Sequence, residues 1–322
     1  MAQVRGHTVV GLDTGYFADC GPDAAPDRQI VRDMRDVGAG DLEGVEAVIH
    51  LAGLSNDPMG ALDERLTRDI NLDATLLLGR LARQAGVGRF VFASSCSLYG
   101  AAGGEAALDE TAPMAPVSAY AVSKARSEEG LLALADDGFS PVFMRNATAY
   151  GVGPRPRFDL VVNNLAGWAF ANGVLKVMSD GTPWRPLVHI EDISLAALCA
   201  VEAPREAVHG QAFNVGRADC NYQVRDIAAA VGRRFPDARV DITGESGGDP
   251  RSYRVAFDKA LTELPGFKPA WTLERGVDEV ARFLRDGGLD DWAFDSRRFI
   301  RLAQLKHLIA EGEIDGELRR IS

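Results

Sequence analysis

Residues 89–95, RFVFASS, are apolar at nearly every position until two serines close the run. A strand with one solvated face alternates apolar and polar residues, whereas one covered on both faces does not. The run therefore predicts an inner strand of a parallel sheet layered with helices. VEAVIHLAG (45–53) and SPVFMRNATAYG (140–151) read as further strands, and HTVVGLD (7–13) as an earlier one. Between them, LDERLTRDINLDATLLLGRLARQAG (62–86) places Leu62, Leu66, Ile70, Ala74, Leu77, Leu78 and Leu81 on one helical face. Ser118 reads as the N-cap of a second helix through YAVSKARSEEGLLALA. Strands alternating with long crossover helices specify an α/β chain with a doubly wound parallel sheet.

After GVGPRPRF, with breaks at Pro154 and Pro156, the texture changes to short strands (LKVMSDG, QAFNVG, RVDIT) mixed with helices. We therefore expect a Rossmann-type unit lacking its first strand over 1–150, mainly a smaller α+β substrate lobe over 151–286, and a helical tail over 287–322. SRRFIRLAQLKHLIAE (296–311) is amphipathic and is expected to pack on its own lobe, a dimer contact being the alternative.

A net charge of -11 argues against a nucleic-acid partner or an acidic membrane surface. No apolar run reaches the ~20 residues of a membrane span, and Met1 is not followed by a secretory h-region. The four cysteines, Cys20, Cys96, Cys199 and Cys220, form no CxxC pair and read as reduced thiols. A cytoplasmic location is the expectation.

Asp13 ends the first recognisable strand, where a Rossmann unit grips the adenosine ribose of a dinucleotide. The glycine fingerprint that should stand about 20 residues earlier has no room, and MAQVRGH reads as the end of a crossover helix and its turn. Gly38, Gly40 and Gly44 precede a strand rather than open a helix. Gly100, Gly103 and Gly104 lead into acidic, proline-containing loop; both groups read as ordinary turns. In the order 3-2-1-4-5 the first strand is central. Its absence is expected to leave a gap between the strand ending at Asp13 and the strand around Val91.

Tyr120 and Lys124, in YAVSK, share a helix face at i and i+4. An ammonium beside a phenol favours phenolate, which can take a proton from a sugar hydroxyl as hydride leaves the carbon. Ser95, at the carboxyl end of the buried strand, can share that proton, and Asn71 could orient Lys124 through water.

With these residues in place the chain resembles the extended short-chain dehydrogenase/reductase family, in particular its NAD-dependent sugar-nucleotide epimerases and dehydratases. The resemblance spans about residues 4–285. It is carried by GLD (11–13), RDMRD (32–36), VIHLAG (48–53), INLDAT (70–75), FASSCSLYG (92–100), SAYAVSK (118–124), RNATAYG (145–151), RPLVHIED (185–192), FNVG (213–216) and GDPRSYR (248–254). It implies NAD as cofactor, with Asp13 on the ribose, Asp33 and Met34 flanking adenine, and Leu51, Ala52 and Gly53 beside the phosphates and nicotinamide ribose. It implies Ser95, Tyr120 and Lys124 as catalytic residues, Asn71 in support, and Lys124 also holding the nicotinamide ribose. Arg185 would meet the diphosphate of a nucleotide-sugar substrate, with Asn164 and Tyr253 as further candidates. The same resemblance implies a homodimer through the helices at 62–86 and 119–135, and a structural role for His189. Three positions depart from the family pattern: the glycine loop is absent, Thr148 replaces an asparagine, and Ser246 replaces an arginine whose charge is left to Arg251 or Arg254.

After the active-site serine, dehydratases resemble T-D-E-V-Y-G, whereas this chain reads S-C-S-L-Y-G. Cys96 and Ser97 cannot replace that acid–base pair, and Cys96 reads as a packing residue. Epimerisation by transient oxidation, at C4, is the expected reaction. C2 epimerisation and reduction of a 4-keto sugar stay open, with dehydration and decarboxylation less suited. A non-catalytic, dinucleotide-sensing or scaffold member is the rival from another class.

Overall fold

The computed structural model describes all residues except 22–25, 61–62, 101, 103–105, 243, 245–251, 290–292 and 322. Leu62, Gly103, Gly104, Ser246 and Arg251 therefore lie outside the described residues. The strands are β1 (Val10–Asp13), β2 (Arg28–Val31), β3 (Ala47–His50), β4 (Arg89–Ser95), β5 (Ser140–Asn146), β6 (Thr148–Tyr150), β7 (Val174–Val177), β8 (Trp184–His189), β9 (Ala212–Val215), β10 (Asn221–Gln223) and β11 (Arg239–Ile242). The helices are α1 (Asp57–Gly60), α2 (Glu64–Arg68), α3 (Ala74–Gln84), α4 (Ala119–Leu132), α5 (Val161–Asn172), α6 (Ile190–Glu202), α7 (Arg205–Val208), α8 (Val224–Gly232), α9 (Asp258–Glu263), α10 (Leu273–Arg285) and α11 (Arg301–Ala310).

β3, β4, β5 and β9 form one parallel sheet in that order, with Ser95 of β4 opposite Asn146 of β5. Phe90, Val91 and Phe92 of β4 and Val142, Phe143 and Met144 of β5 are all buried, because helices cover both faces. This is the layered α/β arrangement expected from the unbroken apolar runs. β1 and β2 stand apart as a parallel pair. β6, β8 and β10 form a mixed sheet, and β7 pairs with β11.

Several expectations change. Val91 is flanked by β3 and β5. The gap lies instead between the two-stranded sheet and β3, whose other edge has no strand partner among the described residues. The segment QAFNVG does not belong to the smaller lobe. As β9 it returns to the large sheet beside β5, where Phe213 and Val215 are buried. The long helix predicted over 62–86 is two helices, α2 and α3, joined by a π turn at Asp69–Asp73 that carries Asn71. The predicted tail helix starts only at Arg301 and does not pack solely on its own lobe. Phe299 enters the smaller lobe's core beside Phe158. Leu305 and Leu308, with Ile314 and Leu318 beyond, instead pack on Tyr16, Met34 and Leu66 of the N-terminal half.

Candidate active site

The site lies at the carboxyl ends of β3, β4 and β5, where an open α/β sheet presents its loops. α4 begins at Ser118, whose hydroxyl accepts from the Ala121 amide at 3.2 Å and donates to Asp57. That cap places Tyr120 in the first turn and Lys124 one turn later, inside the protein. Lys124 Nζ donates to the Ala93 carbonyl at 2.7 Å, two residues before Ser95. It sits 4.6 Å from the Phe92 ring centre and 5.8 Å from that of Tyr120. Ser95 Oγ accepts from the Ser97 amide at 3.1 Å and so opens the turn Cys96–Tyr99. The structure thus brings the helix bearing Tyr120 and Lys124 onto the strand that ends in Ser95.

Burial pushes the Lys124 ammonium down to about 8, and the Glu128 carboxylate one turn further along α4 opposes the fall. Burial, reinforced by the Lys124 charge, drives His50 down to about 3. Thr75 Oγ1 donates to the Asn71 carbonyl at 2.8 Å, so the neutral His50 donates from Nε2 to Thr75, also at 2.8 Å. A phenol, a buried ammonium and a hydroxyl gathered in this way can move a proton off a secondary alcohol.

Asn71 does not turn its side chain to Lys124. Its Oδ1 accepts from the Leu54 amide at 2.7 Å and its Nδ2 donates to the Leu54 carbonyl at 3.0 Å. Gly53 has φ +146°, and a Cβ there would stand 2.8 Å from Asn71 Oδ1, so glycine is required both by the backbone and by the space. The Asn71 carbonyl also accepts from Ser127 of α4 at 3.0 Å. Asn71 therefore fastens the turn after β3 to the helix of Tyr120. Leu51 and Ala52 in that turn are exposed.

At the far end, Asp13 is exposed and its Oδ1 accepts from the Gly15 amide at 2.6 Å. Burial works to raise the Asp33 pKa, but hydrogen bonds and charge from Arg35 outweigh it and hold the carboxyl low. The Arg35 amide reaches Asp33 Oδ1 at 2.8 Å and its Nη2 reaches Oδ2 at 2.6 Å. Met34 is buried against Tyr16 and the tail.

The remaining candidates sit on the smaller lobe or its border. Arg185 lies on β8, and its Nη1 donates to the Trp184 carbonyl at 2.9 Å. Thr148 opens β6 opposite Leu187 of β8. Asn164, on α5, donates to the Phe158 carbonyl at 2.8 Å, and Tyr253 is buried. His189 is structural: its ring stacks on Trp271 at 3.7 Å, Nδ1 accepts from the Glu191 amide, and Nε2 donates to Glu279 at 2.9 Å. The Cys96 thiol donates to the Arg145 carbonyl, and burial raises its pKa, as suits a packing residue. All four cysteines are free and buried.

Sequence reasoning missed His50, Glu128 and Asn163. Asn163 Nδ2 donates to the carbonyls of Gly151 and Arg157, both at 2.8 Å, and orders the chain where it leaves β6. A polar residue at the end of an apolar strand was the available signal for His50. For Glu128 it was the i+8 spacing from Tyr120.

UDP-glucose 4-epimerase of Bacillus subtilis (strain 168) is 27% identical over 282 residues, covering 78% of this chain and 76% of that protein. dTDP-glucose 4,6-dehydratase of Xanthomonas campestris pv. campestris is 24% identical over 241 residues, covering 72% and 62%. MoeE5, solved in complex with UDP-glucuronic acid and NAD, superposes with a TM-score of 0.77 at 26% identity, over 88% of this chain and 93% of that one. No helix among the described residues is long and apolar enough to cross a membrane. The profile of the NAD dependent epimerase/dehydratase family matches residues 2–216, and the chain belongs to that family of enzymes.

Proposed function

We propose that the chain is a nucleotide-sugar epimerase that inverts a sugar carbon, C4, through a transient keto-sugar. The observation that carries this reading is the turn after Ser95. It presents Cys96, buried and hydrogen-bonded to a backbone carbonyl, and Ser97, where a dehydratase needs an acid and a base.

The donor set fits NAD at both ends. The exposed Asp13 carboxylate suits a ribose diol and disfavours a 2′-phosphate. Leu51, Ala52 and the side-chain-free Gly53 leave the rim of β3 open, and Lys124 and Tyr120 would hold the nicotinamide ribose. For the pyrophosphate between them, no glycine-rich strand-to-helix turn exists among the described residues. When bound, NAD supplies a reversible hydride acceptor. Tyr120 takes the C4 hydroxyl proton, Ser95 shares it, and Lys124 stabilises the phenolate. The proton returns by the same path after the keto-sugar has turned in the pocket. Arg185, with Asn164, Thr148 and Tyr253, would hold the nucleotide diphosphate. A homodimer through the outer faces of α3 and α4 belongs to the same reading, since Val122 and Leu132 are exposed there; a monomer mass in light scattering would overturn it.

The test is incubation with UDP-hexoses and NAD in D2O. Epimerisation with returned hydride yields the C4 epimer at unchanged mass, because no carbon-bound hydrogen exchanges with solvent. Loss of water or deuterium uptake at carbon would replace this reading with dehydration or with epimerisation beside a carbonyl.

A further inference from the structure

Tyr120, Lys124 and Glu128 recur at i, i+4 and i+8 and line one face of α4. The first two belong to the proposed chemistry; the third has no role in it, yet it is a carboxylate only 4% exposed. Burying a charge is costly without a partner, and removing one member of such a pair is strongly destabilising. Glu128 is fully engaged. Its Oε1 accepts from Ser94 Oγ at 2.5 Å, and Arg145 of β5 holds it through Nε at 3.1 Å and Nη2 at 2.7 Å. Burial works to strip the Arg145 proton, but the hydrogen bonds and charge of Glu128 more than offset it. Arg145 Nη1 donates onward to Tyr99 OH at 3.1 Å, and Tyr99 donates to Asn214 of β9 at 2.7 Å. A line of hydrogen bonds thus runs beneath the site from α4 through β4 and β5 to β9. Ser94, its anchor on β4, is the neighbour of Ser95.

We propose that Glu128 is a positioning residue for the Tyr120–Lys124 pair: clamped by Arg145 and Ser94, its carboxylate sets the rotation of α4 over β4 and fixes a negative charge one turn beyond Lys124. The proposal rests on the epimerase reading for its kinetic consequence only. The groups facing Lys124 are few. Tyr120 and Glu128 come from its own helix, and His50, held neutral by burial and by Lys124 itself, from β3. β4 offers the Ala93 carbonyl and the Phe92 ring. Arg145 from β5 is turned to Glu128, leaving the carboxylate as the charge that opposes loss of the lysine proton.

Glu128→Gln alone leaves Arg145 buried without its counter-charge and lowers the melting temperature. The decisive variant is Glu128→Gln with Arg145→Met, which removes both charges at similar volume. Lys124 is followed by NMR of the carbon beside its amine, without cofactor or substrate, and turnover is followed across pH. In the folded double variant Lys124 should titrate at least one unit lower. The alkaline limb of the rate profile should move down with it, reducing turnover about fivefold at pH 8. Ser94→Ala keeps both charges and should titrate as wild type. A folded double variant with wild-type Lys124 titration overturns the proposal. If the double variant does not fold, Glu128→Gln alone is read below its melting temperature: a lowered Lys124 titration supports the proposal, and a wild-type titration overturns it. Failure of the wild type to epimerise any nucleotide sugar would sink the proposed activity while leaving the NMR result to judge Glu128.

Discussion

β4 and β1 are both short parallel strands ending in a polar residue at the carboxyl rim, yet their surroundings differ. β4 is paired on both sides and buried through Phe90, Val91 and Phe92. β1 pairs only with β2 and faces solvent at Val10, while Val31 of β2 is 65% exposed. The side chains proposed to move protons, Ser95, Tyr120 and Lys124, stand on or against the enclosed strand. There the low dielectric strengthens each charge and each hydrogen bond. Asp13, the carboxylate proposed for the adenosine ribose, stands on the open pair, where one residue counts for less. On the proposed reading, chemistry and cofactor grip are thus built on parts of one fold with unequal cover.

The sharpest way to break this comparison is at the enclosed end. Tyr120→Phe should reduce turnover by about 10²–10⁴, with nucleotide-sugar binding within about twofold of wild type as measured by calorimetry. Near-normal turnover would remove Tyr120 from the chemistry. Stability offers the second contrast. Phe90 is fully buried among Phe139 and Phe143, so Phe90→Ala should cost about 3–5 kcal/mol in urea unfolding. Val31→Ala should stay within about 0.5 kcal/mol. Similar losses at the two positions would mean that the small sheet is as tightly covered as the large one.

The enclosed half was also the legible half. RFVFASS needs no alternation because both of its faces are covered, and a period of 3.6 residues gave α3 and α4 their faces. Ser118 announced a cap that the structure uses. What escaped reading depends on residues far apart in the chain. Glu128 and Arg145 are ordinary charges until helix and strand stack. β9 shows a short apolar run that suits either sheet, and its pairing with β5 joins residues about 70 apart in the chain. The tail's partners are farther still: Tyr16 donates to the Leu318 carbonyl at 2.7 Å across 302 residues, and Arg35 donates to the same carbonyl at 2.9 Å. Amphipathicity shows that a helix will be covered, never by which surface. Asn71 was found by its polarity, but its partner, the Leu54 backbone, follows from the π turn that no periodicity announces.

pH gives a contrast of intermediate size. Lys124 titrates at about 8 when folded and near 10.4 when unfolded. Between these values the unfolded chain binds more protons, so stability rises with pH across the window. Below about 8 the folded protein carries the full cost of a buried ammonium. Relative to Lys124→Met, the wild type should gain up to about 3 kcal/mol between pH 8 and 10.4, measured by urea unfolding at each pH. A flat difference would mean that Lys124 is solvated in the folded state. No exposed cation of the small sheet should produce such a slope.

The smallest effect belongs to the open end. Asp13 does two things at once: its carboxylate faces solvent, and its Oδ1 accepts the Gly15 amide at 2.6 Å and shapes the turn after β1. Asp13→Ala removes both. Asp13→Asn removes the charge and keeps an oxygen for the amide. If the charge is what favours NAD, both variants should shift the ratio of NAD to NADP affinities toward NADP by about tenfold, near 1.4 kcal/mol. Only the alanine variant should also loosen the turn, read as faster hydrogen exchange at Gly15. A shift in the alanine variant alone would assign the preference to the shape of the turn. No shift in either would place the adenosine ribose away from β1 and leave the open pair of strands with a structural part only.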